Sequence, residues 1–91
     1  MAIQNEAGEY IVVESVTPQS VTIRFHKDKE HRARYKAGTE GKYEGTRQEN
    51  RSVEVDMQGL VDPKRNLGEN NILAGYISLK SMDEFKNCID I

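Results

Sequence analysis

The sequence predicts an α+β fold, a small antiparallel β-sheet of three to five strands packed by a C-terminal α-helix. Three observations predict it. Val21, Ile23 and Phe25 alternate with Thr22, Arg24 and His26, the period of a strand with one buried face. Val53, Val55 and Met57 alternate in the same way with Ser52, Glu54 and Asp56. Near the C-terminus the period changes: Ile72, Leu73, Tyr76, Ile77 and Lys80 recur at the spacing of one helix face.

Taken in order, the chain opens with Ile3 and the turn-forming run Asn5-Glu6-Ala7-Gly8, which predicts a short hairpin into the first long strand. Residues 10–16 form that strand. Ile11, Val12 and Val13 are apolar on both of its faces, so it is a central strand or one covered twice. Thr17-Pro18-Gln19-Ser20 reads as a tight turn, because proline presets φ at its second position. The strand 21–26 follows. Residues 27–50 form a long polar loop or hairpin, with a short helical turn over 28–36 and an exposed hairpin through Tyr43 as competing readings. Residues 51–57 are the next strand, ended by Gly59 and Asp62-Pro63. Asp before Pro can also cap a helical turn. The main helix starts at Gly68 or Asn70, and Gly75 within it suits close packing on the sheet. Ser81 and Glu84 have capping-box spacing, which predicts a last short helix through Phe85. The clean alternation of the strands implies one wet sheet face and one covered by the helix.

The 91 residues make one domain, 1–91, whose core is small. Leu, Ile, Val and Phe number 20, while charged residues are 31% of the chain. Such a core leaves part of its burial to a partner or to self-association. Charge is unevenly placed. Residues 1–25 hold three Glu against one Arg, residues 26–51 eight Lys/Arg against five Asp/Glu, and residues 52–91 four against seven. With a pI near 5.7, the mildly basic middle does not make a nucleic-acid binder. Cys88 is the single cysteine, so no internal disulfide forms, which points to a reducing compartment or a particle assembled there. No apolar run approaches a membrane span, and the first residues lack the basic and apolar segments of a secretory signal. The expected localisation is the cytoplasm of a bacterial host or a virion.

Candidate chemistry is sparse. His26 and His31 bracket a charged run but bring no further ligand, so the expectation is two solvated loop histidines and no metal. Lys27, Lys29, Arg32, Arg34 and Lys36 surround Tyr35 in the manner of a stacking platform. Asp28 and Glu30 interrupt the run, and it reads better as the rim of a protein interface. Arg32, Arg34, Tyr35 and Tyr43 are the candidate interface residues, since Arg and Tyr bury apolar bodies while keeping donors. Gly38, Gly41 and Gly45 lack the Lys-Ser/Thr of a phosphate loop. Cys88 lies among Asp83, Glu84 and Asp90, an acidic setting that disfavours a thiolate. Glu54 and Asp56 are the solvent side of a strand. No nucleophile–base motif, metal signature or dinucleotide fingerprint is present, so the chain is read as non-enzymatic, with no cofactor and no small-molecule substrate.

Two stretches carry a resemblance: Ile3-x-Asn5-Glu6-x-Gly8-Glu9-Tyr10-Ile11 and Lys27-Asp28-Lys29-Glu30-His31-Arg32. Together they resemble short proteins of the tail or baseplate gene modules of tailed phages and prophages of Gram-positive bacteria. The resemblance spans about the first third of the chain and the helix over 70–80. It implies a virion-associated or assembly role exercised through protein contacts, and it carries no site residues over to this chain. The competing expectation is a small phage-encoded regulator or inhibitor acting on a host protein or nucleic acid.

Overall fold

The computed structural model describes residues 2–38, 46–57 and 63–91. Its elements are β1 (Ile3–Gln4), β2 (Tyr10–Thr17), β3 (Ser20–His26), α1 (Lys29–Ala37), β4 (Arg47–Ser52), α2 (Leu67–Lys80) and β5 (Ile89–Asp90). The strands form an antiparallel five-stranded sheet in the order β4-β3-β2-β1-β5. The predicted α+β class is therefore observed, with β2 at the centre as its two-sided apolar pattern required.

The two hairpins follow from local chemistry. In the first, Gly8 takes φ 86° and the Asn5 side chain accepts from Glu9 N–H at 2.9 Å, closing the turn between β1 and β2. In the second, Pro18-Gln19 joins Thr17 to its partner Ser20. Between Val13 and Ser15 the register with β3 shifts by one residue, leaving Glu14 as a bulge. The bulge puts Val13 and Val16 on the same face, together with Ile11, Val21, Ile23 and Phe25.

That face receives α2. Asn66 caps the helix by accepting from Glu69 N–H at 2.8 Å, so the helix begins at Leu67, ahead of the expected Gly68 or Asn70. Pro63 lies in the turn before it rather than at its first position, and Asp62 falls outside the described residues. The buried stripe also differs from expectation. Asn70, Ala74, Gly75, Tyr76 and Leu79 face inward, whereas Ile77 is half exposed. Small residues decide this. A Cβ on Gly75 would stand 2.6 Å from Val16 Cγ2 and 3.3 Å from Val13 Cγ1, so the helix seats where its side chains are smallest.

Beyond α2, residues 81–87 form successive turns, with Phe85 N–H bonded to Met82 O at 3.0 Å and Cys88 N–H to Phe85 O at 3.0 Å. The expected last helix is absent. Ser81 instead ends α2, its hydroxyl donating to Ser78 O at 2.6 Å, and Phe85 is pinned in the core.

The third predicted strand is displaced. β4 covers 47–52, and residues 53–57 leave its ladder to bond the β2–β3 turn, Val53 N–H to Gln19 O at 3.1 Å and Val55 N–H to Pro18 O at 3.0 Å. The alternation nevertheless holds: Val55 is buried, and Val53 and Met57 pack on the core. Within 27–50 a helix is present. Asp28 accepts from His31 N–H at 2.7 Å at the start of α1, and Gly38 ends it at φ 71°. Residues 39–45, with the alternative hairpin through Tyr43, lie outside the described residues. Because α1 contacts His26 on the side opposite Phe25, the sheet carries a helix on each face rather than one dry and one wet face.

Tyr76 completes the central strand. β1 pairs with β2 as far as Ile11, and the Val13 N–H beyond it donates to Tyr76 Oη at 2.9 Å. Burial pushes the Tyr76 phenol up to about 12. Tyr76→Phe should cost about 1–3 kcal/mol in urea unfolding, the cost of a buried N–H left without its acceptor. Gly75→Ala should destabilise by about 1–3 kcal/mol through overpacking, despite alanine's better helix propensity. In a double-mutant cycle the loss should shrink when Val16 is also changed to Ala; additive costs would place the helix contact elsewhere.

Candidate functional site

Three local arrangements could carry function: a cluster of rings under α1, a network of ion pairs on β4, and the outer edge at β5, which pairs only with β1 among the described residues. The cluster gathers several sequence-selected residues. His26, at the end of β3, has no exposed surface, and His31 is the buried residue of α1. Their ring centroids are 5.7 Å apart, and the Tyr35 ring stands edge-on to His26 at 5.2 Å. Tyr10, opposite His26 on β2, completes the set at 6.4 Å. The expected solvated histidines are thus corrected. Asp28 starts the helix immediately after β3, which folds the chain back and lays His31 and Tyr35 over His26.

Arginines surround the rings. The Arg24 guanidinium lies 5.1 Å from the Tyr35 centroid and the Arg32 guanidinium 5.6 Å. Arg32 Nη1 donates to His26 Nε2 at 3.3 Å, because arginine can only donate. The His26 proton then sits on Nδ1, which is buried without a partner among the described residues, as is Nδ1 of His31. Burial, and then the charges of Arg32, His31 and Arg24, push His26 down to about 4 from 6.5. Arg24 also pairs with Glu14, the bulge residue. Of the sequence-selected interface residues, Arg32 and Tyr35 therefore help dock α1 on the sheet. Arg34 is exposed on the same helix, and Tyr43 lies outside the described residues.

No group of three or more His, Cys, Asp or Glu that could hold a metal occurs among the described residues. A cleft of about 220 Å³ lies between Glu6, Glu84 and Cys88. Burial, and then Glu6 and Glu84, push the Cys88 thiol up, away from the thiolate that nucleophilic chemistry requires. A larger groove of about 590 Å³ runs past Val16, Ile72 and Leu73, and among the described residues no Ser, Thr, Cys or His lines it.

The two edges of the sheet are built differently. β4 carries only polar and charged side chains. Its Arg47, Glu49 and Arg51 share the α2 face, where Arg47 bonds Glu9 at 2.6 Å and Glu49 at 2.5 Å, and Arg51 bonds Glu49 at 2.9 Å and Glu84 at 2.8 Å. The Arg47 guanidinium also covers the Phe25 ring at 3.9 Å. Hydrogen bonds from Arg47 hold the Glu9 and Glu49 carboxyls below their usual range. At the other edge, Ile89 is 58% exposed and Ile91 49%. Ile91 N–H bonds Ala2 O at 3.1 Å, so by alternation the Asp90 N–H and C=O point away from β1, off the sheet. The Asp90 side chain is held by Lys80 at 2.8 Å. The sequence reading missed this edge, because a strand of two residues at the end of a polar run has no periodicity to detect. Two isoleucines one residue apart were its available signal.

The pH prediction follows from His26. The unfolded chain takes up this proton near pH 6.5 and the folded chain only near 4, so its contribution to stability is complete above 6.5 and is lost as pH falls toward 4. Between 6.5 and 4.5 the urea midpoint should fall with pH, and His26→Phe should flatten that slope. Glu9 and Glu49, with lowered values, add their own losses only further down. An unchanged slope in the variant would remove His26 as the origin. Comparisons with protein-family models, with curated proteins and with solved structures find no match to this chain.

Proposed function

We propose that this chain is a non-enzymatic protein-binding domain, a structural or assembly component that receives an extended segment of another protein at its β5 edge. The unequal treatment of the two sheet edges carries this reading. An unpaired strand edge is a template for another strand, and proteins blunt edges that must stay free with charge and polar side chains. β4 is blunted in that way. β5 instead offers outward backbone groups at Asp90 between two exposed isoleucines, the arrangement that strand addition uses. The ring cluster under α1 is occupied in docking a helix, and burial together with Glu6 and Glu84 disfavours the thiolate of Cys88 in its cleft. The resemblance to phage tail and baseplate module proteins makes a virion, or its assembly in the bacterial cytoplasm, the proposed setting.

Selection of peptides from a displayed random library against the folded protein tests the reading. Enriched peptides should lose at least about tenfold in affinity, ~1.4 kcal/mol, on Ile89→Lys/Ile91→Lys and keep it on Gln48→Lys at the opposite edge. Enriched peptides that bind both variants as well as the unmodified protein would overturn it.

A further inference from the structure

The chemistry around β5 also selects what the edge takes up. Resting on the edge reading above, we propose that the segment added at β5 belongs to a different protein and alternates apolar and basic residues, with a Lys or Arg opposite Asp90 and apolar side chains opposite Ile89 and Ile91.

The argument starts from the register. Ile3 pairs with Asp90 and Gln4 with Ile89, so the Asp90 side chain lies on the α2 face and those of Ile89 and Ile91 on the other. A strand bonding to the outward N–H and C=O of Asp90 must place one residue directly opposite it, and that residue's side chain lies beside the Asp90 carboxylate. Its two neighbours then project onto the face of Ile89 and Ile91, where they cover exposed apolar surface.

Charge disfavours the most obvious alternative, although each Asp90 is also held by its own Lys80. A second copy paired antiparallel through the same outward groups would set Asp90 against Asp90, and like charges directly opposite are destabilising. The surroundings deepen the preference for a cation. At the N-terminal end of β5, the cleft between the Asn5–Ala7 turn and the 84–88 turns is walled by Glu6 and Glu84. Burial first, and then the charges of these two carboxylates, push the Cys88 thiol up. Lys80 and Arg51 answer Asp90 and Glu84, while Glu6 is exposed at the cleft. An incoming strand that runs along β5 passes into this cleft, where a second basic side chain meets Glu6.

The test uses a capped synthetic peptide of alternating Val and Lys flanked by Thr, and the same peptide with Glu in place of Lys. Binding is read from amide shifts of the isotope-labelled full chain. The Lys peptide should shift the Ile89–Ile91 and β1 amides and bind about tenfold or more tightly than the Glu peptide, the difference between opposite and like charges across a strand pair. Glu6→Lys, an exposed change that leaves the core untouched, should weaken the Lys peptide alone. Equal binding of both peptides at β5 would overturn the charge assignment and leave the edge reading standing. Shifts confined to other surfaces, or none, would overturn both. Light-scattering mass across a hundredfold concentration range gives the remaining outcome. A dimer abolished by Ile89→Lys/Ile91→Lys would make a second copy the occupant and overturn the proposal.

Discussion

The close approach of α2 to the bulged part of β2 is the contact on which the rest of the molecule depends. It requires two local features at once. Gly75 removes the Cβ that would collide with Val16, and the bulge at Glu14 turns both Val13 and Val16 toward the helix. With the helix seated, Tyr76 reaches the Val13 N–H where β1 stops pairing, and Leu79 is fully buried with Ile3, Ile11 and Ile23. The 81–87 turns then carry Phe85 into the same core and bring the chain back as β5, tied to the end of α2 by Lys80 and Asp90. A core this small has few contacts in reserve, so the contacts made by one glycine and one phenol carry a large share of the packing around β2.

The opposite side of the sheet is assembled on different terms. There α1 is held by rings and cations, with His31 as its buried residue and Arg24 and Arg32 against Tyr35. Such contacts are weaker than aliphatic burial and depend on His26 remaining neutral. The α1 face therefore begins to lose stability as pH falls below about 6.5, where His26 takes up its proton, and the α2 face only further down, where Glu9 and Glu49 are protonated. β4 sits between them, with a row of ion pairs where a core strand would have apolar side chains. Those pairs contribute modestly to stability at a partly exposed site, and their larger effect is to make that edge unattractive to another strand.

On the function proposed above, the two edges divide the roles of closure and contact. A charged edge that satisfies itself through Glu9, Glu49 and Glu84 cannot readily exchange partners, since each removed ion leaves its neighbour unpaired. An apolar edge with outward backbone groups has lost nothing by remaining open and gains on being covered. The acidic cleft beside β5 adds direction to this, because it favours one sign of charge at one end of the edge.

Much of this architecture is legible in the residues themselves. Alternation located β3, the two-sided apolar run over 11–13 located β2, and the period of two placed Val53, Val55 and Met57 toward the core although their segment leaves the ladder. Asp28 and Gly38 mark both ends of α1, and the Asn5–Gly8 and Pro18 turns follow from the backbone preferences of those residues. Gly75 already suggested a close helix. These features are local: they depend on periodicity and backbone preference within a few residues. Tertiary structure alone decided which stripe of α2 is buried, because the close approach at Gly75 selects small residues over Ile77. It decided that His26 and His31 are internal, because α1, which carries His31 and Tyr35, folds back onto β3. It also decided that Ile89 and Ile91 stand at the outer edge of the sheet formed by the described residues, because strand order depends on contacts between segments far apart in the chain, which no local pattern encodes.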